Sequence, residues 1–567
     1  MMPIQNAPRA AQYRVSKSIG LLLLGVVLLT LAFAPSYQFY LASIGLAPWL
    51  MVVQQSRTAR SAFVWSWLTG TAFFTANMWW VAGVNAPGMI ALMIYCGFYW
   101  GLAAAVIRGG RLLEGKPIVA VAGIAALWTA GEFVRSFLFT GIPWLFIGHT
   151  QSPFLAMCQI ADIGGVYAVT FWVVMINVLV AILMIRGKSR DLIPAAITVG
   201  GVLAVSLGYG LWRMNQSTQS LGPTVMVVQS NYPQSNSGEK GASQEELTRF
   251  HIETTRKALD QAGSGVVNLA AWSETMMPPI NRETINEEWN LQHTPFGHDT
   301  ADAIAQISDL AKSEQTSLLI GGHFWDKFDW TQFGGEKVRF PTEERNTAYL
   351  FNPDGSFGDR PGERYDKIHL VPFGEYIPLR HTFLYRIFLA LGPRYYANYQ
   401  LTDGTDNGLT VFSLRDAVGT PRWKFVSPIC FEDSDANLCA AMMRPGSDGL
   451  KRADFFVNIT NDGWFADAQH AQHLQSAVFR AIENRVPMAR SVNTGTSGFI
   501  DSVGRVSHTI ASSTEGTSLM QLQLDGRITF YTRFGDLFAW ICVIASAGLI
   551  GRTIIRATMM RKRVAIQ

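Results

Sequence analysis

Apolar runs separated by short polar connections restrict the folds open to this 567-residue chain. Seven runs precede a long polar region and one follows it, at 19–35, 39–53, 62–84, 89–107, 118–139, 166–185, 192–212 and 537–555. Several approach the roughly 20 residues that a helix needs to cross a bilayer. Only 16% of the residues are charged, whereas about a quarter is usual in globular proteins. The sequence therefore predicts an α-helical transmembrane bundle of about eight spans.

The first run has features of a cleaved secretory signal. Basic residues precede it, and Ala32-Phe33-Ala34 resembles a small-residue cleavage site. However, Pro35 directly follows that site and further apolar runs come after it. These two facts favour an uncleaved first span.

The distribution of basic residues predicts the orientation of the bundle. Lys and Arg cluster at 9–17, 57–60, 108–116, 186–190 and 561–563. The alternate connections near 36–38, 85–88 and 140–162 carry almost none. Because basic loops remain on the cytoplasmic side, both termini are expected there. The polar region then lies on the opposite face, which is the periplasm in a bacterium with two membranes.

A second pattern begins after a polar linker at 213–222, where short strand-like and helix-like segments alternate. Strands are expected at 224–229, 266–271, 317–321, 347–351, 424–429, 455–459, 489–492 and 498–500, and helices at 245–262, 301–313 and 471–484. This alternation predicts an α/β fold with a layered sheet for residues 223–530. The transmembrane bundle is assigned to 1–212, and a final membrane helix with a cytoplasmic tail to 531–567.

Three reactive side chains lie next to strand-like runs of the polar region. Cys430 ends one run, Glu274 follows another, and Lys367 stands before an apolar stretch that ends at Glu375. A lone buried cysteine is more often a packing residue than a nucleophile. However, a thiol needs a base to become a nucleophile, and an acyl oxyanion needs a cation or N–H donors. The combination of acid, lysine and cysteine therefore indicates nucleophilic catalysis better than any one of them.

The order Glu, Lys, Cys with these flanks resembles the nitrilase (carbon–nitrogen hydrolase) superfamily. The segments Tyr-Asp-Lys-Ile-His-Leu-Val-Pro-Phe-Gly-Glu-Tyr at 365–376 and Ile-Cys-Phe-Glu at 429–432 follow a membrane-spanning half. This combination is similar to the apolipoprotein N-acyltransferases along essentially the whole chain. The resemblance implies that the polar region is a four-layer α-β-β-α nitrilase sandwich.

The resemblance also implies roles for individual residues. Cys430 is expected to be the nucleophile and Glu274 its general base, as the acid of a Trp-x-Glu motif. Lys367 is expected to stabilise the oxyanion together with a backbone N–H near Phe431. Glu375 is the expected second acid, which positions Lys367 or relays a proton.

Three nearby residues are expected to support the site. Glu432, two residues after the nucleophile, is interpreted as structural. Phe431 departs from the family, in which this position is often Tyr, so any role of that hydroxyl is missing here. Trp464 lies in a loop after a strand and either lines the pocket or simply packs in a turn.

The activity implied by the resemblance is acyl transfer in two steps. An acyl chain moves from a membrane phospholipid to Cys430 as a thioester, and then to the N-terminal amine of a diacylglyceryl-modified cysteine on an apolipoprotein. The expected location is the bacterial cell inner membrane, with the catalytic domain on the periplasmic side. No cofactor, metal site or nucleic-acid partner is expected, because the net charge is only +4 and no cysteine spacing suggests zinc. The chain is expected to be a monomer.

Two other functions stay open from the residues alone. One is a membrane-tethered amidase or nitrilase that transfers its acyl group to water. The other is a transporter or receptor with a soluble domain and no chemistry. The hydrolase would leave the apolar stretch 376–399 unexplained, a stretch that is a candidate lid for lipid substrates. The segment 323–345, with Trp and Phe among charges, is a candidate second mobile arm.

Two further pairs of residues allow more than one interpretation. Glu132 and Arg135 share a helix face within the fifth run. They are either a functional pair at membrane depth or an interfacial pair near the outer end of a tilted helix. Cys430 and Cys439 are close enough in the chain to form a disulfide in principle.

Overall fold

This computed structural model describes residues 7–217, 219–232, 242–291, 300–333, 336–377, 382–383, 385–386, 389, 400–415 and 420–566. The chain divides into two compact units. The helical unit comprises Met1–Ala82, Ala86–Gln216 and Phe534–Gln567, and the α/β unit comprises Gly83–Asn85 and Ser217–Arg533. Within the linker predicted at 213–222, a helix ends at Met214 and a strand begins at Gln219.

The main helices of the first unit follow the apolar runs of the sequence. They are α1 (Ala7–Ala32), α2 (Ala47–Gln55), α3 (Ala59–Asn77), α4 (Ala82–Gly109), α5 (Pro117–Phe137), α6 (Ala161–Arg186), α7 (Ile193–Met214) and a C-terminal helix (Leu537–Ile566). Short helices also occur at Ala42–Gly45 and Leu155–Cys158. The side chains along these helices are mostly apolar, as expected for helices that contact lipid.

Five described helical segments are long and apolar enough to cross a membrane. They are Trp79–Gly109, Pro117–Phe137, Ala161–Arg186, Arg190–Met214 and Leu537–Arg556. The apolar segments Ser16–Ala32 and Phe39–Gln55 are shorter. The run predicted at 62–84 is not one helix, because α3 ends at Asn77 and the next helical turn begins at Trp79. The chain is a membrane protein, but its count of about eight spans stays a prediction.

The run predicted at 39–53 is divided between two helices. A polar side chain forms hydrogen bonds with the backbone groups that the division leaves free. The Asn177 side chain accepts a hydrogen bond from the Leu46 N–H at 2.8 Å and donates one to the Ala42 carbonyl at 2.7 Å. Backbone groups freed by a helix break need such partners where no water is available. The Asn177 amide therefore takes the place of the helical hydrogen bond between the Leu46 N–H and the Ala42 carbonyl. Asn177 is fully buried, so water is not at hand to do the same.

The second unit contains two six-stranded sheets. Sheet 1 has the order β12-β1-β2-β3-β4-β5 and sheet 2 the order β11-β10-β9-β8-β7-β6. The strands are β1 (Gln219–Gln229), β2 (Leu269–Ala271), β3 (Ser317–Phe333), β4 (Glu336–Phe351), β5 (Arg364–Asp366), β6 (Phe412–Arg415), β7 (Pro421–Val426), β8 (Phe455–Thr460), β9 (Met488–Val492), β10 (Ser497–Ile500), β11 (Val506–Ile510) and β12 (Gly516–Asp525). The helices are α8 (Gln244–Ala262), α9 (Arg282–Leu291), α10 (Thr300–Ser313), α11 (Ala436–Met443), α12 (Asp467–Asn484) and a short helix at Phe530–Phe534.

The strands at the centre of each sheet are parallel, namely β1–β2–β3 in sheet 1 and β7–β8–β9 in sheet 2. The sheets pack face to face, and the Ser491 hydroxyl of β9 lies 3.1 Å from the Val228 carbonyl and 2.9 Å from the Ala271 carbonyl. The other face of sheet 1 forms a core with α8 and α10, around side chains such as Trp272 and Ile307. This is the layered α/β fold with two sheets that the sequence predicts.

Nearly all of the segment 323–345 belongs to the β3–β4 hairpin, and its role as a mobile arm stays a prediction. This antiparallel ladder runs from the pair Leu318–Phe351 to the pair Phe333–Glu336. The strands predicted at 317–321 and 347–351 are therefore only the buried bases of two much longer strands. Most of the candidate lid at 376–399 lies outside the described residues.

Candidate active site

The three predicted reactive residues follow three different strands of the α/β unit. Glu274 comes three residues after β2, Lys367 directly follows β5, and Cys430 begins a helical turn shortly after β7. All three are buried, with exposed fractions of 4%, 1% and 8%. Two sheets therefore contribute to one site, which explains why residues far apart in the sequence meet here.

The Lys367 ammonium lies between two carboxylates. Its Nζ atom is 3.0 Å from Glu274 Oε1 and 2.8 Å from Glu375 Oε1. Burial alone would lower the pKa of Lys367, but the two carboxylates outweigh burial and raise it well above the ordinary value. The lysine is therefore a permanent cation inside the site. The two acids and the lysine together, which we call the lysine cluster, carry one excess negative charge.

An asparagine that sequence reasoning missed holds both carboxylates. Asn346 Nδ2 donates to Glu274 Oε1 at 2.6 Å and to Glu375 Oε1 at 3.1 Å. The Asn346 carbonyl also accepts a hydrogen bond from the Lys367 N–H at 2.8 Å. Asn346 stands directly before the predicted strand 347–351, and that position gave no signal of a role in the site.

A main-chain group outside the predicted set fixes the other oxygen of Glu274. The Asn461 N–H donates to Glu274 Oε2 at 2.8 Å. Asn461 directly follows β8, and its own side chain accepts a hydrogen bond from Asn493 Nδ2 at 3.0 Å. Both oxygens of Glu274 are therefore held by donors, which gives the carboxylate a fixed orientation.

The turn that carries Cys430 is held in a left-handed backbone conformation, with φ of 50° at the cysteine. Such a conformation is uncommon for a residue with a side chain and persists only where the surroundings impose it. The surroundings here include Glu432, whose Oε2 accepts the Ile429 N–H at 2.7 Å. The strained turn fixes the direction in which the thiol points.

Glu432 also joins this turn to the lysine segment. Its Oε1 accepts hydrogen bonds from the Ile368 N–H at 2.7 Å, the His369 N–H at 3.0 Å and the Tyr365 hydroxyl at 2.8 Å. Burial raises the pKa of Glu432 to about 6 despite these donors. These contacts connect the backbone on either side of the site and fit the structural role predicted for Glu432.

The Cys430 thiol is neutral at physiological pH. Burial is the main cause that raises its pKa well above the ordinary value, and the negative charges of Glu274 and Asp462 raise it further. Lys367 and a hydrogen bond with Thr460 act in the opposite direction but do not outweigh burial. The thiolate is the reactive form of cysteine, so this thiol needs a nearby base. Glu274 is close enough to Cys430 to influence its charge.

The remaining predicted residues lie at the edge of this arrangement. The Phe431 ring is 8% exposed and meets the His369 ring edge-on, with 5.3 Å between their centroids. Trp464 is 37% exposed and ends the helical turn Asp462–Trp464. Cys430 and Cys439 do not form a disulfide, and the Cys439 thiol instead donates to the Glu432 carbonyl at 3.5 Å.

The other charged pair of the sequence lies in the helical unit, where the two side chains take separate partners. Glu132 accepts hydrogen bonds from Trp128, Thr170 and the Ile147 N–H. Arg135 donates to the Ile142 carbonyl at 2.8 Å and lies over aromatic rings. Both side chains are buried inside the protein, and whether the pair lies at membrane depth or near the interface stays a prediction.

Over the residues described, no group of three His, Cys, Asp or Glu side chains is arranged to hold a metal ion. The residues of the site itself offer a neutral thiol, two carboxylates, a permanent cation and N–H donors. This set can activate a nucleophile and stabilise an oxyanion.

Known protein families match both halves of the chain. Residues 25–179 match the apolipoprotein N-acyltransferase N-terminal domain, and residues 234–530 match the carbon–nitrogen hydrolase family. An apolipoprotein N-acyltransferase of Geobacter metallireducens is 30% identical over 92% of this chain and 92% of its own. Apolipoprotein N-acyltransferase 1 of Treponema denticola is 25% identical over 92% of this chain and 94% of its own. A solved amidase of the nitrilase superfamily from Nesterenkonia AN1 is 13% identical and covers 53% of this chain and 91% of its own, with a TM-score of 0.35.

Proposed function

The chain belongs to the apolipoprotein N-acyltransferase family, and we propose that it acylates lipoproteins by a ping-pong reaction through a thioester on Cys430. Lipoprotein N-acylation follows from the family. The mechanism, the phospholipid donor and the residue roles are the proposal. The observation that carries it is the Lys367 ammonium, which contacts Glu274 and Glu375 at 3.0 and 2.8 Å and acts electrostatically on the Cys430 thiol.

In the first half-reaction, Glu274 takes the proton of the Cys430 thiol. The sulfur attacks the carbonyl carbon of a phospholipid acyl ester, and Lys367 stabilises the negative charge that develops on the carbonyl oxygen. The ester C–O bond then breaks, and the departing lysophospholipid oxygen receives the proton from Glu274. The acyl chain remains on Cys430 as a thioester. Glu375 keeps Lys367 charged and in place throughout.

In the second half-reaction, the N-terminal amine of a diacylglyceryl-modified cysteine attacks the thioester carbonyl. Glu274 accepts a proton from the amine, the C–S bond breaks, and the Cys430 sulfur takes the proton back. The products are an amide on the lipoprotein and the free enzyme. A high thiol pKa suits this cycle, because the resting thiol is neutral and the sulfur is a nucleophile only when Glu274 is placed to deprotonate it.

Intact-mass analysis of the purified protein tests the intermediate. With phospholipid alone, the wild type should gain the mass of one acyl chain, which neutral hydroxylamine should release. Cys430→Ala should gain nothing, whereas Cys439→Ala, which removes a neighbouring buried thiol, should behave like the wild type. Glu274→Gln should form the adduct far more slowly. The absence of an adduct on any cysteine would refute the mechanism.

The acceptor distinguishes a transferase from a tethered amidase that shares the first half-reaction. A peptide with a diacylglyceryl-modified N-terminal cysteine should clear the adduct faster than water does. Equal clearance by water would favour the hydrolase, and a protein in which Cys430→Ser has no effect would instead be a transporter or receptor.

We further propose that the protein lies in the bacterial inner membrane, with residues 223–530 as a periplasmic catalytic domain; the monomeric state stays a prediction. The support is the charge asymmetry of the connections between apolar runs. A cysteine at exposed Glu515 should react with an impermeant maleimide in intact spheroplasts. A cysteine at exposed Arg57 should react only after lysis, and the five native cysteines are buried. The reverse labelling pattern would invert the orientation.

A further inference from the structure

A second cluster of buried charges lies against the turn that carries Cys430. It consists of Asp433, Asp462, His473 and Arg490, which we call the buried quartet. All four side chains are at most 1% exposed. They come from four different elements: the Cys430 turn, the loop after β8, helix α12 and strand β9. The mechanism above uses none of them.

The geometry of the quartet requires a charged histidine. His473 Nε2 lies 2.7 Å from Asp433 Oδ1, and His473 Nδ1 lies 2.8 Å from Asp462 Oδ1. An ionised carboxylate only accepts hydrogen bonds, so both ring nitrogens must donate. Burial alone would lower the pKa of His473, but the two carboxylates raise it to about 9. Arg490 contacts both aspartates as well, so two positive charges balance two negative ones.

The quartet is linked to both sides of the active site. Asp433 belongs to the helical turn that begins at Cys430. Asp462 follows Asn461, whose N–H holds Glu274 Oε2 at 2.8 Å. Through these two contacts His473 ties the nucleophile to the backbone that orients its base.

A second path through Arg490 strengthens this connection. Arg490 Nη1 donates to Asn458 Oδ1 at 2.7 Å, and Asn458 Nδ2 donates to the Pro428 carbonyl at 3.0 Å. Pro428 stands two residues before Cys430. The backbone before and after the nucleophile is therefore held by the same quartet.

The quartet also affects the electrostatics of the thiol. The charged groups that act on Cys430 are Glu274, Lys367 and Asp462, and the negative charge of Asp462 disfavours the thiolate. His473 and Arg490 supply the opposing positive charge to Asp462. His470, on the same helix as His473, acts on Asp462 in the same direction, with its Nε2 atom 3.1 Å from the Asp462 carbonyl oxygen. On helix α12 itself, Gln469 is an uncharged neighbour, 3.4 Å from His473 Nδ1. Removing the imidazolium would leave the Asp462 charge less compensated beside the thiol.

We propose that His473 is a positioning residue for acyl transfer: its imidazolium holds the Cys430 turn against the Asn461 backbone and offsets the charge of Asp462 near the thiol. The role in acyl transfer rests on the proposed function. The effect on the thiol itself does not, and it can be measured without any lipid substrate.

The test is the pH dependence of Cys430 alkylation by iodoacetamide in the purified full-length protein, with Cys430→Ala to identify the signal. In His473→Gln the midpoint of alkylation should move up by about one pH unit or more, because the negative charge of Asp462, which disfavours the thiolate, loses the positive charge that offsets it. The rate of acyl-adduct formation at pH 7 should fall by about 10-fold or more, since one pKa unit is a tenfold change in thiolate. Asp462→Asn should move the midpoint in the opposite direction.

His251→Gln is a matched control, because His251 is also fully buried but contacts no carboxylate among the described residues and bonds to the Leu247 carbonyl. It should leave the alkylation midpoint unchanged even if it lowers the melting temperature. An unchanged midpoint in His473→Gln would reduce His473 to a packing residue. If that variant does not fold, an unchanged midpoint in Asp462→Asn overturns the proposal. A wild type that is alkylated normally but forms no acyl adduct refutes the proposed function instead.

Discussion

Two buried ionic clusters in the α/β unit differ in their balance of charge. The lysine cluster has two carboxylates, Glu274 and Glu375, for one ammonium. The buried quartet has two carboxylates for two cations, His473 and Arg490. The buried quartet is shielded from water, and in the lysine cluster only Glu375 is partly exposed, with 13% of its side chain. The two clusters therefore differ mainly in their balance of charge.

The comparison separates a cluster suited to proton transfer from one suited to holding the structure. In the lysine cluster one cation is shared between two acids, so one carboxylate can accept a proton while the other keeps the lysine charged. In the buried quartet the charges of the two signs are equal in number, and removing any one leaves an excess buried charge. We therefore expect changes in the lysine cluster to affect the rate of chemistry most strongly.

The largest effect is expected at the shared cation. Lys367→Ala should lower the rate of acyl-adduct formation by about 100-fold or more, because one oxyanion donor is worth roughly 3 kcal/mol. Lys367→Arg should not restore the rate, because the planar guanidinium is larger than the ammonium it replaces. Intact-mass analysis of samples quenched at successive times measures the rate of adduct formation in both variants.

A double variant separates charge balance from catalysis. Lys367→Met combined with Glu375→Gln removes one charge of each sign, so thermal unfolding should show a stability nearer the wild type than Lys367→Met alone. The rate should stay low, because no oxyanion donor is restored. Near-normal activity in this variant or in Lys367→Arg would reduce Lys367 to a structural ion pair.

An intermediate effect is expected at the amide that holds both acids. Asn346→Asp replaces the donor to Glu274 and Glu375 with a third carboxylate. Adduct formation should slow by about 10- to 100-fold, because hydrogen bonds to charged groups contribute about 1.5–3 kcal/mol. Asn352→Asp is the control, since Asn352 follows the same strand and its side chain donates to Ser356 and not to the acids of the site. Equal rates in the two variants would show that Asn346 does not orient the acids.

The smallest effect is expected at Glu432, and it should be on stability. Glu432→Gln loses acceptors for the buried donors of the Cys430 turn, at a cost of about 1–3 kcal/mol. Burial raises the pKa of Glu432 from 4.5 to about 6, so the folded protein binds this proton more tightly than the unfolded chain. The wild type should therefore gain up to roughly 2 kcal/mol relative to Glu432→Gln as the pH falls from 7 toward 4.5. Thermal unfolding of both proteins across this range measures the difference, and a difference that does not change with pH would contradict it.

Local patterns in the sequence were enough to predict much of the architecture. The helix predicted at 245–262 is α8, and the run predicted at 192–212 is helix α7 within one residue at its start. Apolar periodicity determines such elements, because each buries its own apolar face. The sequence also indicated Glu274, Lys367 and Cys430, because each is a reactive residue type next to a strand-like run and this pattern can be read from neighbouring positions.

Where local signals were weak, the same reasoning failed on the fold. The strands predicted at 317–321 and 347–351 are the bases of β3 and β4, but the strand pairing of the outer part of the hairpin was not predicted. Its residues mix aromatic and charged side chains without a regular alternation, so their pairing depends on the partner strand more than on a local pattern. The prediction of one continuous run at 39–53 likewise missed the helix break at Leu46. The Leu46 N–H bonds to Asn177, which is 131 positions away in the sequence.

The sequence alone determined which residue types can do chemistry here and which stretches are buried, because both depend on neighbours along the chain. Only the tertiary structure decided what holds those residues in place. Asn346 reaches Glu274 across 72 positions and the Asn461 N–H reaches it across 187. His473 meets Asp433 across 40 positions. A hydrogen bond or a buried charge pair requires only that two groups lie close in space. The packing of the two sheets brings these groups together, and the local sequence around each group does not indicate its partner.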